Sequence, residues 1–203
     1  MRPLLSRICW LDTETTGLAP GCDIIQIAGL VEIDGEIVHE FNINARPFPD
    51  TIIEDSALEV IKKTREQIAA YPPPQDALAV LESVLCRYIN KFDKNDKFVL
   101  GGHNIGFDLD KMVQFYKKCN NNYLGSWFHF RYKLDTLAII QALQVAGVMP
   151  PQSSNKLIDI ATVMKIPLPQ AHDAMFDIRA TREIGVRLIK YLQRCHEVKS
   201  NNY

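Results

Sequence analysis

The stretch "DIIQIAGLVEIDGEIVHEFNI", Asp23 to Ile43, constrains the fold of this chain more than any other. Two runs rich in β-branched and aliphatic residues flank the dipeptide Asp34-Gly35. Such a pair between apolar runs is a strong hairpin signal, because both residues tolerate the positive φ of a tight turn. Just upstream, Arg7 to Thr13 reads as a further, buried strand. Three strands are therefore adjacent early in the chain, the last two antiparallel.

The sequence then changes character. "EDSALEVIKKTREQIAA" has helical propensity, and within it Thr64 and Gln67 have the spacing of a capping box that starts a new short helix. "YPPP" is a stiff connector, and Asp76 to Phe92 has apolar residues at helical spacing. "KFVLGGHN" reads as a fourth strand and "GFDLDKMVQFYKKC" as a helix, with a fifth strand near Trp127 to Leu134. "KLDTLAIIQALQVAG" is a helix with Asp135 as its N-cap and Gly147 as its end, and "NKLIDIATVMK" is a short helix. "DAMFDIRATREIGVRLIKYLQRC" is a long amphipathic one. Early strands followed by helices interleaved with late strands predict a single α/β domain, with a mixed central sheet of about five strands flanked by helices. Its expected bounds are residues 1–198, with 199–203 a frayed tail.

Composition excludes several classes. A formal net charge of -1 and a pI near 6.5 argue against a protein that coats long duplex nucleic acid, so any basic surface must be local. Five widely spaced cysteines, odd in number and without a C-x-x-C pair, argue against a disulfide framework or a zinc site and predict a reducing, cytoplasmic setting. No apolar run is long enough to span a bilayer.

The strand at Arg7 ends in "LDTETTGL", with Asp12 and Glu14 one residue apart. Residues i and i+2 of a strand share a face, so the two carboxylates project side by side, where like charges repel. This is either an edge strand with its acids in water or a strand end built for a divalent metal. A metal needs further ligands, and two acids at element boundaries can supply them. Asp108 lies in "GGHNIGFDLDKM" and Asp177 in "AHDAMFDIRA", five residues after His172. Taken singly, Asp108 reads as an exposed acid in a first helical turn and Asp177 as a partner of Arg179 or Arg182. Together they form an ordered set at the kind of boundary where sites form in α/β sheets.

That set, "WLDTETTGL", "HNIGFD" and "HDAMFD", resembles the three motifs of the DEDDh family of 3′-to-5′ exonucleases, which includes proofreading subunits of bacterial replicative polymerases, ribonuclease T and oligoribonuclease. The likeness covers most of the chain. It implies a ribonuclease H-like fold and a metal-dependent enzyme that releases nucleoside monophosphates from single-stranded 3′ ends. It further implies two Mg²⁺ ions, replaceable by Mn²⁺, held by Asp12, Glu14, Asp108 and Asp177. In this scheme Asp12 bridges the pair, Glu14 and Asp177 complete one shell, and Asp108 holds the second ion mostly through water. Hard cations choose such oxygen ligands, and a pair of them can stabilise both the attacking and the leaving oxygens of an in-line displacement. His172 takes the role of general base, which an unperturbed histidine pKa of about 6.5 suits. Five residues correspond to about 500° of helix rotation, so His172 belongs before the last helix, with Asp173 as its N-cap. Thr15, Thr16, Gly17 and Leu18 line the terminal-nucleotide pocket, Leu18 wedging against the base. His103, Asn104 and Phe107 are second choices there, and His103 is equally well placed for a structural role. Arg131 and Lys133 alternate with aromatics in "WFHFRYK". That pattern suits stacking on single-stranded bases, or a half-buried strand with a basic outer face.

The chain departs from the pattern in two places. Many proofreading relatives carry a histidine-glycine pair where this chain has Ile61 and Lys62, and oligoribonuclease typically has Leu-Glu-Met where this chain has Thr13, Glu14 and Thr15. "YLGSWFHFRYKLDTL" nevertheless resembles oligoribonuclease. A DNA-directed, proofreading-like exonuclease therefore ranks first, with a replication or repair partner such as a separate polymerase. An exoribonuclease resembling oligoribonuclease or ribonuclease T ranks second, and a non-catalytic module binding strand ends or a partner protein is the reading from another class.

Overall fold

The computed structural model describes residues 6–168 and 173–200, with side chains as far as 196. Strands β1 (Arg7–Thr15), β2 (Ile24–Ile33), β3 (Glu36–Asn44), β4 (Phe98–Gly102) and β5 (Phe128–Asp135) form one sheet in the order β3-β2-β1-β4-β5. β1, β2 and β3 pair antiparallel, while β4 runs parallel to β1 and β5 parallel to β4. The sheet is mixed, as the sequence predicts. The expected hairpin joins β2 to β3, with Ile33 opposite Glu36 and both Asp34 and Gly35 at positive φ.

Seven α-helices are described: α1 (Asp55–Ile61), α2 (Arg65–Ala69), α3 (Pro74–Leu85), α4 (Ile105–Lys118), α5 (Thr136–Val145), α6 (Leu157–Val163) and α7 (Ala174–Ser200). The capping box at Thr64 and Gln67 is formed in both directions and opens α2, and Asp135 caps α5. Helix α3 stops at Leu85, short of the expected Phe92. Past Cys86, side chains compete for the backbone: Asp96 accepts from Asn90 N–H at 2.8 Å and Asn90 from Phe92 N–H at 3.1 Å. Local Asn and Asp acceptors of this kind favour turns over continued helix. Helix α7 runs through Ser200, two residues into the expected tail, and 201–203 lie outside the described residues. At the end of α1, Lys62 adopts φ 55° and ψ 44°. This is the left-handed C-cap conformation that glycine takes most readily. The backbone thus takes a glycine's shape at the place where the resemblance expects a glycine and this chain has Lys62.

Alternation along β1 divides the core. Cys9 and Leu11 face the layer of α3 and α4, packing with Leu81, Leu85, Met112 and Phe115. Ile8 and Trp10 face α7, packing with Ala174 and Ile178. Helix α7 is held close to the sheet around Trp10, which is fully buried. A Cβ on Gly185 would stand 2.2 Å from the Trp10 ring, so only glycine permits this approach. Trp10 Nε1 donates to Glu32 at 3.0 Å, and Arg182 Nε on α7 donates to the same carboxylate oxygen at 2.8 Å. A buried carboxylate satisfied from both sides fixes the helix laterally as well as in depth. Among the described residues, no helix is long and apolar enough to cross a membrane.

Candidate active site

β1 is the switch point of the sheet, with an antiparallel neighbour on one side and a parallel one on the other. β4 pairs with it only from Ile8 to Trp10, so the last residues of β1 run on past the end of β4. Crevices outside the carboxyl ends of strands at such points are where α/β sheets place their sites. The chain leaves β4 through His103 and Asn104, and α4 begins at once at Ile105.

The alternation that built the core now sorts the acids. Asp12 and Glu14 continue the Trp10 face and meet Asp177 of α7. An oxygen from each of these three carboxylates lies within 4.8 Å of the others, a set that could hold a metal ion. Thr13 continues the opposite face and meets Asp108 of α4. With no β4 residue beside it, its N–H donates to Asp108 Oδ1 at 2.9 Å, and its hydroxyl donates to the same oxygen at 2.7 Å. All four acids therefore converge on the end of β1, three from one face and Asp108 from the other.

Their electrostatics follow from this crowding. Burial first, then Asp108, Glu14 and Asp177, hold the Asp12 carboxyl well above the usual carboxylate range. Burial, together with Asp177, Asp108 and Asp173, raises Glu14 to about 8. Asp108 rises to about 6 through burial, a shift that the two Thr13 donors oppose. Carboxylates so placed resist full ionisation near neutral pH unless a cation joins them.

The neighbouring residues are placed unevenly. Asp173 caps α7, accepting from Met175 N–H at 3.0 Å. His172 lies outside the described residues. Asn104 sits in the left-handed region at φ 62°, and its N–H donates to Asp135 at 2.9 Å. Non-glycine residues held there cluster at functional sites. His103 has both ring nitrogens engaged, one with Thr136 Oγ1 at 2.8 Å and one with the Asn155 carbonyl at 2.9 Å, so it ties β4 to the segment before α6. A cavity of about 620 Å³ opens beside Asp177, lined also by Asn104, Gln141, Ser154, Asn155 and Lys156. Of the residues expected to line a terminal-nucleotide pocket, Leu18 and Asn104 are exposed, Leu18 to 77%. Thr16 does not reach a pocket surface: it is fully buried, and its hydroxyl donates to the Ile52 carbonyl at 2.6 Å and accepts from Asp23 N–H at 3.0 Å. Thr15 is buried too and donates to the Gly17 carbonyl. Gly17 takes φ 154°, a conformation that other residues rarely adopt, and a Cβ there would also stand 2.3 Å from the end of the Glu54 side chain. Phe107 stands on α4 with the Lys111 ammonium 5.6 Å from its ring centroid. Arg131 and Lys133 are exposed on β5, an edge strand.

Sequence reading missed Thr13 as the partner of Asp108. The alternation held a signal for Thr13, because a residue between two like-facing acids must face the other way.

The RNase_T family, described as "Exonuclease", matches residues 9–184. The chain belongs to this exonuclease family. Among curated members of related sequence, the PolC-type DNA polymerase III of Listeria welshimeri is 27% identical over 192 residues, covering 94% of this chain and 12% of that protein. The Bacillus subtilis counterpart is 27% identical over 184 residues, covering 88% of this chain and 11% of its own length. The exonuclease chain thus spans about one-eighth of these relatives. Among solved structures, E. coli exonuclease I in complex with a dT13 oligonucleotide superposes with a TM-score of 0.75 at 19% identity, over 96% of this chain and 43% of that one. Cell-death related nuclease 4 superposes with a TM-score of 0.71 at 15% identity, over 92% of this chain and 64% of that one. These likenesses establish the expected ribonuclease H-like exonuclease fold.

Proposed function

We propose that this exonuclease releases nucleoside monophosphates from the 3′ end of single-stranded DNA with two Mg²⁺ ions. The observation that carries the reading is the convergence of Asp12, Glu14 and Asp177, an oxygen from each within 4.8 Å of the others, with Asp108 on the opposite flank of the same strand end. An all-carboxylate set, with the proton affinities of Asp12, Glu14 and Asp108 raised, suits a hard divalent cation. Asp12, Glu14 and Asp177 would hold one ion and Asp108 the other. Bound there, the ions would supply charge to the attacking and leaving oxygens of the phosphodiester.

The protein's own groups do the rest. His172 receives the proton of the attacking water. Leu18 lies against the terminal base, which must be unpaired to reach it, and Asn104 and Phe107 complete that end of the pocket. DNA as substrate and a polymerase as partner are supported by the likeness to PolC-type DNA polymerases and by the oligonucleotide in the exonuclease I complex.

The test is release from end-labelled single strands of DNA and RNA, with Mg²⁺, with Mn²⁺ and with chelator, beside a 3′-phosphate-blocked control. Mononucleotides should appear from free DNA 3′ ends and disappear with chelator. Faster release from short RNA would replace DNA as the substrate. Internal cuts, or strand binding without products, would overturn the exonuclease mechanism proposed.

A further inference from the structure

Among the described residues, Lys111 is the one lysine or arginine that is buried, at 6% exposure. It stands on α4 one turn beyond Asp108, yet its ammonium reaches away from the acids. Nζ donates to the carbonyls of Ala19 at 2.8 Å and Cys22 at 3.0 Å. Burying an ammonium against neutral carbonyls is costly unless the geometry is needed, and the cleavage chemistry makes no use of it.

The other side of the same loop explains the arrangement. The Glu54 carboxylate accepts from Leu18 N–H at 3.3 Å, from Ala19 N–H at 3.3 Å and from the Cys22 thiol at 3.4 Å. Ala19 is therefore gripped twice, its N–H by an anion and its C=O by a cation. Gln114, also on α4, donates to the Pro20 carbonyl at 2.7 Å. Between these anchors the Leu18 side chain is left 77% exposed. Hydrogen bonds from Leu18 and Ala19 hold the Glu54 carboxyl below its ordinary range, and the Lys111 charge adds to this. An apolar tip on a loose loop must be ordered when it binds, and that ordering weakens affinity; a tip on a clamped loop is ordered beforehand.

We propose that Lys111 and Glu54 are positioning residues for end recognition: they clamp the Gly17–Cys22 loop from opposite sides so that Leu18 meets an unpaired terminal base already in place. This rests on the reading of Leu18 given above, and it adds residues of the loop's support to that reading.

Steady-state release from a single-stranded DNA oligomer, with saturating Mg²⁺, tests it. Lys111→Met and Glu54→Gln should each raise KM about 5- to 20-fold while kcat changes less than about twofold, because the loss falls on binding rather than on the bond-breaking step. Leu18→Ala should raise KM as well, and adding either clamp substitution to it should cost little more, since the clamp acts through Leu18. Glu54→Gln is nearly isosteric and lies at the surface, so it keeps the test intact should Lys111→Met fail to fold. If Leu18→Ala leaves KM unchanged, the reading of Leu18 fails and takes the clamp with it. If Leu18→Ala raises KM but the clamp substitutions do not, or their effects multiply fully with it, the clamp alone is refuted. A fall in kcat as large as the rise in KM would likewise refute it, by making Lys111 a support of Asp108.

Discussion

Asp108 and Glu14 sit on opposite faces of one strand end, and the more deeply buried of the two is the less perturbed. Asp108 is 5% exposed and rises to about 6, whereas the half-buried Glu14 rises to about 8. Burial by itself predicts the reverse order. The difference lies in donors. Asp108 accepts two hydrogen bonds from Thr13, and bonds to the charged form favour it. Glu14 is pushed up by burial and then by the nearby charges of Asp177, Asp108 and Asp173, all of its own sign. One acid has its charge partly offset by donors of the protein itself, while the other is left for a cation to offset.

The strongest way to break this comparison is to remove the central charge of the crowded face. Asp12→Asn should abolish cleavage and leave the fold intact. In chelator it should raise the melting temperature, because one of four mutually repelling carboxylates has gone. Relief equal to a single pKa unit is about 1.4 kcal/mol, which corresponds to roughly 3–6 °C for a chain of this length. Melting well below the parent in chelator would mean that the site is not electrostatically crowded.

The donor side is tested next. Thr13→Val keeps the shape and the backbone N–H bond but deletes the hydroxyl that fixes Asp108. Losses from removing a partner that orients a metal ligand run to about 10–100-fold in activity or metal affinity. That range is expected for Mg²⁺-dependent turnover, with Thr13→Ser restoring most of it. Equal activity in Thr13→Val would show that the backbone bond suffices.

The last test reads no loss of activity, only a slope in stability with pH. Glu14 ionises near 8 in the folded protein against an ordinary value of 4.5. Between these values the folded state holds more proton than the unfolded one, so this group's contribution to stability falls as pH rises through that window and is flat on either side. In chelator, the parent should therefore lose melting temperature relative to Glu14→Gln between about pH 5 and pH 8. Saturating Mg²⁺ should flatten the difference. A difference that grows in the parent's favour with rising pH would reverse the assignment of Glu14 to the repelling face.

Much of this molecule follows from local pattern. The apolar runs of β1 and β2, the Asp34-Gly35 turn and the caps at Thr64 and Asp135 are decided within a few residues of themselves, and each stands where the sequence places it. Asp12 and Glu14 share a face for the same reason, and the motif order names Asp108 and Asp177 as their companions. Tertiary structure alone decided which of those companions meets which face, and what steadies them. Thr13 and Asp108 are 95 residues apart, Lys111 and Ala19 are 92, and Leu18 and Glu54 are 36. Periodicity tells a side chain which way to face, but a hydrogen-bond partner is supplied by whatever packing brings opposite it. Here β4 stops short, α4 crosses the open end of β1, and a threonine, a lysine and a glutamate with no local signature of function become the supports of the site.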